Sequence, residues 1–280
     1  MRRVSILTLT AAALVMSQGA ARGADAEPLP STKVTPSVTV FEVGSNTTVL
    51  VTDEGKLVVD SGVTDNATKL VDALKALGPQ PVHFLVNTHH HFDHVGGNET
   101  VGAGATILAH ANAKDPSKEK GPANETFTDE RELKLGGEVV RLLHLGRGHT
   151  SGDTVVAIES QKVLATGDLF FNGLPPYIDV AAGADTASWI RVIATLAERY
   201  PDYKVVPGHG PVTDMAHYQK FAAYLKALRE QVAAAIAAGK TREQAQESVT
   251  LAEFSGIKDN DFLSKKANVG WVYDELTKKQ

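Results

Sequence analysis

Four strand-like runs in this chain each end in a glycine-bearing turn that carries a histidine or an aspartate. That recurrence limits the folds open to the chain. The run Val82–Val86 passes through Asn87-Thr88 into His89-His90-His91-Phe92-Asp93-His94, with Gly96-Gly97 close behind. Residues 139–145 lead into Gly146-Arg147-Gly148-His149-Thr150, Val163–Ala165 into Thr166-Gly167-Asp168, and Lys204–Val206 into Pro207-Gly208-His209-Gly210. In layered α/β domains, sites gather just beyond the carboxyl ends of strands. If the four ends meet, five imidazoles and two carboxylates form one cluster. Within the first loop, His89, His91, Asp93 and His94 are spaced so that two groups can face one metal and two another. The glycines let the chain turn tightly beside these side chains.

The remaining pattern is mixed. Residues 47–51 and 57–59 flank Asp53-Glu54-Gly55-Lys56 and predict a hairpin. Residues 66–77 place Ala67, Leu70, Val71, Leu74 and Leu77 at helical spacing, closed by Gly78-Pro79. A strand is expected over 106–109. The polar stretch 111–130 holds Pro116 and Pro122 and reads as an irregular loop. A second hairpin, 154–158 with 162–165, turns at Ser160-Gln161. Helices are expected over 187–200 and 215–238, the latter ended by Gly239, and Thr241 with Gln244 fits a capping box for one more. Residues 27–37 (EPLPSTKVTPS) read as a linker into a single domain over 38–280. Strands and hairpins alternating with helices, twice over, indicate an α/β or α+β layered domain.

The first 26 residues are set aside from the fold. Arg2 and Arg3 precede a short apolar run, and Ala24-Asp25-Ala26 has the small-x-small form of a signal-peptidase site. The run is shorter than the ~20 residues a bilayer span needs, so a signal peptide over 1–26 and a periplasmic or secreted protein are expected. The paired arginines suggest twin-arginine export, although the residues after them fit that signal poorly. The net charge of −5 becomes more acidic once Arg2, Arg3, Arg22 and Asp25 are removed, which argues against a nucleic-acid partner. No later run predicts a membrane span. Cysteine is absent, so thiolate nucleophiles and thiolate ligands are excluded and a metal site must use imidazole and carboxylate.

Taken together, these motifs resemble the metallo-β-lactamase superfamily. The Thr-His-x-His-x-Asp-His signature stands as Thr88-His89-His90-His91-Phe92-Asp93-His94, and the later single ligands match Gly148-His149-Thr150, Thr166-Gly167-Asp168 and Gly208-His209-Gly210. Order and spacing agree over roughly residues 38–214. The resemblance implies a four-layer αββα sandwich with two metals, zinc above iron or manganese, at one edge. Carried over by position, His89, His91 and His149 would hold one ion, Asp93, His94 and His209 the other, and Asp168 would bridge them. Asp60, in Val58-Val59-Asp60-Ser61-Gly62, matches the family's buried aspartate and would orient a ligand imidazole. The implied reaction is attack by a metal-bridging hydroxide on an ester, lactone, thioester or amide of a small-molecule substrate, with Asp93 orienting the nucleophile and passing on its proton.

Asp168 stands where the best-known β-lactamase branch has cysteine, as in the glyoxalase II and lactonase branches. No lysine follows soon after it to grip a substrate carboxylate. Both departures place β-lactam hydrolysis second. Some members of the superfamily instead use one iron to oxidise persulfides, a further alternative. His83, His110, His144 and His217 fall in strand or helix patterns and read as structural, and His90 as a rim residue. The stretch 169–182 follows the bridging position directly. Its Asn172 and Tyr177 are candidate hydrogen-bond donors to a substrate oxyanion, or parts of an apolar loop held by Pro175-Pro176.

Overall fold

The computed structural model describes residues 27–113 and 121–278. The signal segment expected over 1–26, and residues 114–120 of the irregular stretch, lie outside the described residues. One sheet has seven strands in chain order: β1 (Ser31–Lys33), β2 (Val38–Glu42), β3 (Asn46–Val51), β4 (Lys56–Val59), β5 (Val82–Val86), β6 (Thr106–His110) and β7 (Glu125–Phe127). β1 to β4 pair antiparallel, and β4 to β7 parallel. The second sheet holds β8 (Glu130–Leu135), β9 (Glu138–Leu143), β10 (Val155–Ile158), β11 (Val163–Ala165), β12 (Lys204–Val206) and β13 (Thr213–Asp214). Its one parallel pairing joins β11 to β12. The helices are α1 (Ala67–Ala76), α2 (Phe92–Val95), α3 (Asn98–Val101), α4 (Thr186–Arg199), α5 (Met215–Ala237), α6 (Arg242–Ser248) and α7 (Lys265–Thr277).

Strand periodicity builds the layers. Successive side chains on a strand point to opposite faces, so strands buried on both sides sort their apolar residues into two cores. Leu57 and Val59 of β4 and Val86 of β5 face the second sheet, where they join Val140, Leu142, Val156, Ile158 and Val163. Val58 and Leu85, on the alternate positions, meet Leu70 and Leu74 of α1. In the second sheet Val155, Ala157 and Leu164 turn the other way, onto Trp189, Ile193 and Leu196 of α4 and Leu225 and Leu228 of α5. Three apolar layers between four layers of secondary structure make an αββα sandwich, as expected. Among the described residues no helix is long and apolar enough to cross a membrane.

Three segments depart from the sequence reading. Residues 27–37, read as a linker, contain β1, which adds an edge to the first sheet by pairing Thr32 with Val40. Its three residues are exposed and carry no apolar alternation, so nothing in the sequence marks it. Within 111–130, read as irregular, β7 and the start of β8 form; β7 is only three residues long, too short to show a period. α7 was not anticipated either. It buries Asn268 and Gly270 beside Val269 and Val272, which blurs the apolar stripe that announces a helix.

The parallel strands β4, β5, β11 and β12 end along one edge of the sandwich, where the loops carrying the ligand-type residues emerge. Trp189 supports that edge from below. It is fully buried, and its indole N–H donates to the carbonyl of Leu169 at 2.9 Å, one residue past Asp168. Trp189→Ala should therefore destabilise the fold by about 3–5 kcal/mol through the cavity it leaves. Equilibrium urea denaturation tests this, and a loss under about 1 kcal/mol would show that the layer does not depend on the indole.

Candidate metal centre

All seven of the ligand-type residues come together at that edge. They fall into two groups: His89, His91 and His149 with Asp168, and Asp93, His94 and His209. In the first group His91 Nδ1 lies 3.0 Å from His89 Nε2 and 2.9 Å from His149 Nε2. Asp168 Oδ2 sits 3.8 Å from His89 Nε2 and 3.5 Å from His149 Nε2. Its other oxygen, Oδ1, faces the second group at 3.1 Å from His94 Nε2 and 3.4 Å from His209 Nε2. Asp93 Oδ2 closes that group, 3.2 Å from His209 and 3.5 Å from His94. One carboxylate thus presents an oxygen to each group.

The outer nitrogens show which way the imidazoles face. His94 Nδ1 donates to Asp60 Oδ2 at 2.7 Å, His149 Nδ1 to the Tyr177 carbonyl at 2.8 Å, and His91 Nε2 to Asp179 Oδ2 at 3.0 Å. His89 Nδ1 lies 3.1 Å from Thr88 Oγ1, whose own hydrogen goes to Asp60 Oδ2 at 2.8 Å. An imidazole that donates from its outer nitrogen turns a lone pair inward. The His91 lone pair, 3.0 and 2.9 Å from those of His89 and His149, is repelled by both unless a cation lies among them. His94 Nε2 and Asp168 Oδ1 point the same way: both are buried, and neither makes a hydrogen bond although they are 3.1 Å apart. A donor set of imidazole and carboxylate with inward lone pairs and unsatisfied buried atoms fits divalent metal ions.

Charge is divided between the groups in the same sense. Burial holds His89 well below the usual histidine range, reinforced by His94, and lowers His149 to about 4 against the pull of Asp168. Burial also opposes charging of His94, but Asp168 and Asp60 override it and raise its pKa well above the ordinary value. His209 is likewise raised to about 9: Asp168 and Asp93 outweigh its burial. Asp168 is buried, which alone would protonate it, yet the charges of His209 and His94 hold it well below the carboxylate range. The carboxylate-rich side attracts positive charge and the three-imidazole side offers neutral nitrogen.

Local structure explains how each side chain arrives. Asp60 has φ 62°, a left-handed conformation that aspartate tolerates better than most residues. There it accepts from Thr88 N at 2.7 Å while holding His94, so it ties the end of β4 to the loop after β5. The backbone next to the bridging position is crowded. A side chain at Gly208 would lie 1.9 Å from Asp168 Oδ1, and one at Gly167 would lie 2.3 Å from Thr88 Oγ1. Only glycine lets the β11 and β12 ends approach this closely.

Several supporting residues were not anticipated. Asp179 holds His91 with one oxygen and accepts from Ala182 N at 2.9 Å with the other. Buried Asp153 accepts from Gly148 N and Thr150 Oγ1, at 3.0 and 2.6 Å, and so fixes the His149 turn. Asn46 donates to the carbonyls of Pro207 and Gly210, on either side of His209. Each is an ordinary polar residue in sequence, and only Asp179 falls in the stretch 169–182 that follows the bridging position directly. Of the two candidate substrate donors, Asn172 sends its amide to the Pro211 carbonyl at 2.8 Å, outside the cluster. Tyr177 lies beside it, its ring 5.7 Å from that of His91 and 5.9 Å from that of His149. His83 and His217 bond to Glu54 and Asp214, and His110 stacks on His144, all outside the cluster. His90 lies with His91 and Asp179 at the rim.

Comparison with known proteins agrees with this geometry. The model of the Metallo-beta-lactamase superfamily matches residues 40–209. The Metallo-beta-lactamase type 2 of Bacillus cereus is 32% identical over 179 residues, covering 61% of this chain and 69% of that protein. That of Bacteroides fragilis is 27% identical, covering 60% and 70%. A metallo-beta-lactamase structure from Pontibacter korlensis is 29% identical with TM-score 0.64, covering 71% of this chain and 99% of the other. A stereoselective inverting sec-alkylsulfatase from Pseudomonas sp. shares the fold at TM-score 0.70 and 14% identity, covering 89% of this chain and 50% of its own.

The hydrogen bonds behind the cluster carry a direct expectation. Asp60→Asn and Asp179→Ala should each weaken metal affinity about 10–100-fold, because the imidazole behind each loses its fixed orientation. Dialysis against buffered zinc followed by metal analysis measures this. Wild-type affinity in both variants would show that the imidazoles are held by packing alone.

Proposed function

The chain belongs to the metallo-beta-lactamase superfamily, and from that membership and the cluster geometry we propose that it is an exported dinuclear zinc hydrolase of esters, lactones, thioesters or amides. The observation that carries the proposal is Asp168, which offers Oδ2 to His89 and His149 and Oδ1 to His94 and His209. On this reading His89, His91 and His149 hold one ion, Asp93, His94 and His209 hold the second, and Asp168 lies between them. Bound divalent ions supply Lewis acidity and a water that ionises near neutral pH.

The chain's own residues do the rest. Asp93 is partly exposed beside buried His94. Burial works to raise its pKa, but the hydrogen bond with His209 and the charge of His94 keep it below the ordinary value, so it is ionised and able to take a proton from an attacking water. It can then return that proton to the leaving group. Asp168, buried and held ionised, keeps the two groups in register. Asp60 and Asp179 hold imidazoles in one tautomer, so the site need not reorganise as charge develops. Tyr177 stands at the mouth as a candidate contact for the substrate. The order of charged, apolar and small residues over 1–26 supports export to the periplasm or beyond. An imidazole and carboxylate set suits zinc, iron and manganese alike, and zinc is preferred because signatures of this type resemble those of zinc enzymes most often.

A second reading, β-lactam hydrolysis, is favoured by the Bacillus and Bacteroides relatives, which are metallo-beta-lactamases. Asp168 in place of cysteine weighs for the broader acyl hydrolase. Zinc-loaded protein assayed against an aryl ester, a lactone and a chromogenic cephalosporin separates the two. Efficient turnover of the cephalosporin alone reverses the preference, and one iron per chain with oxygen uptake overturns hydrolysis altogether. Chelation should abolish turnover and zinc restore it. Asp93→Ala should lower kcat/KM about 10²–10⁴-fold, and undiminished turnover would remove Asp93 from the mechanism.

A further inference from the structure

Among the described residues the large apolar side chains left exposed are Phe92, at 76%, and Phe262, at 71%. An exposed aromatic that stands alone needs no explanation, but Phe262 is tied through other rings to the cluster. Phe262 packs on Tyr177 with ring centres 5.7 Å apart, Tyr177 meets Trp271 edge-on at 5.0 Å, and the Tyr177 ring in turn lies 5.7 Å from His91. A continuous aromatic wall therefore runs from the ligand imidazoles out to solvent. The far side of the cluster differs in kind: next to His209 the surface is lined by Glu42, Ser45, Asn46 and Gly210.

The wall is built in advance of any ligand. Asn268 donates to the Pro176 carbonyl at 2.6 Å and is itself held by the Tyr224 hydroxyl at 2.7 Å, both in the buried layer. Asn260 accepts from the backbone of Phe262 and Leu263, at 2.9 and 2.6 Å, and fixes the turn before α7. Phe262, Asn268 and Trp271 all lie beyond residues 40–209, the stretch the family model matches. The outer part of the wall thus comes from this chain's C-terminal segment, docked on Tyr177 of the matched stretch.

We infer that this wall is the subsite for a large apolar acyl group, alkyl or aryl, whose carbonyl end lies at the metal centre. The inference rests on the hydrolase reading of that centre and names its substrate class. A carboxyl or carbonyl oxygen belongs at the imidazole and carboxylate cluster, and the chain attached to it can then lie along the wall of Tyr177, Phe262 and Trp271. Burial of that chain supplies the binding, and the polar side leaves room for the leaving group.

The test uses zinc-loaded full-length protein and two matched series. Butanoate, hexanoate, octanoate and decanoate are titrated by tryptophan fluorescence, since Trp271 stands in the wall while Trp189 is buried; Trp271→Phe should silence the response. The 4-nitrophenyl esters of the same acids are assayed for turnover. Affinity and 1/KM should rise on the order of two- to fourfold per added methylene, and Phe262→Ser should flatten that rise with the melting temperature unchanged. Chain-length independence in both series overturns the subsite, as does a dimer in sedimentation that Phe262→Ser dissociates. Turnover without length dependence leaves the hydrolase reading intact and sinks the subsite. Length-dependent binding without turnover of any ester does the reverse.

Discussion

Lone pairs turned toward one another dominate this structure. His89, His91 and His149 bring three nitrogens to within 3.0 Å along the His91 contacts, an arrangement that is unfavourable without a cation and strongly favourable with one. Every outer hydrogen bond around them serves to hold that geometry. Asp60, Thr88, Asp179 and the Tyr177 carbonyl each accept from, or line up, the outer side of a ring. Metal affinity and folding are therefore coupled: the sandwich supplies the rigidity, and an ion would return stabilisation to the loops that hold it.

The scaffold accounts for that rigidity. Strands buried on both faces cannot slip in register without moving an entire apolar set from one core to the other. β4 and β5 on one sheet, and β11 and β12 on the other, are consequently fixed, and their carboxyl ends present Asp60, the histidine-dense loop, Asp168 and His209 at one edge. Close approach at Gly167 and Gly208 lets the last two share the centre. The helical layer over the second sheet contributes as well, since Trp189 and Asn268 donate to Leu169 and Pro176 within the 169–179 loop.

Much of the fold was legible because its signals are local. The strand over Val82–Val86 and the β10–β11 hairpin follow from apolar runs bounded by turn residues, and the capping box at Thr241 and Gln244 forms as the spacing predicts. β1, β7 and α7 were not legible. The first two are three-residue strands too short to show a period, β1 exposed throughout, and α7 lacks a clean apolar stripe. At the site, the seven histidines and aspartates announced themselves through residue type and glycine neighbours. Asp179, Asp153 and Asn46 did not, because a carboxylate or amide that holds a loop looks in sequence like any other surface polar residue.

By itself the sequence determined the chemistry: which nitrogen and oxygen donors exist, that no thiolate competes with them, and that each follows a strand. Only the tertiary structure decided how those donors divide. Asp168 faces both groups, Asp179 locks His91 from behind, and aromatic rings from the far C-terminus line the approach. The reason is one of range. Residue type and periodicity act over a few positions, whereas Asp168 meets His94 and Tyr177 meets Trp271 across spans of some 70 to 95 residues, separations that close only when both sheets and the helical layer pack together.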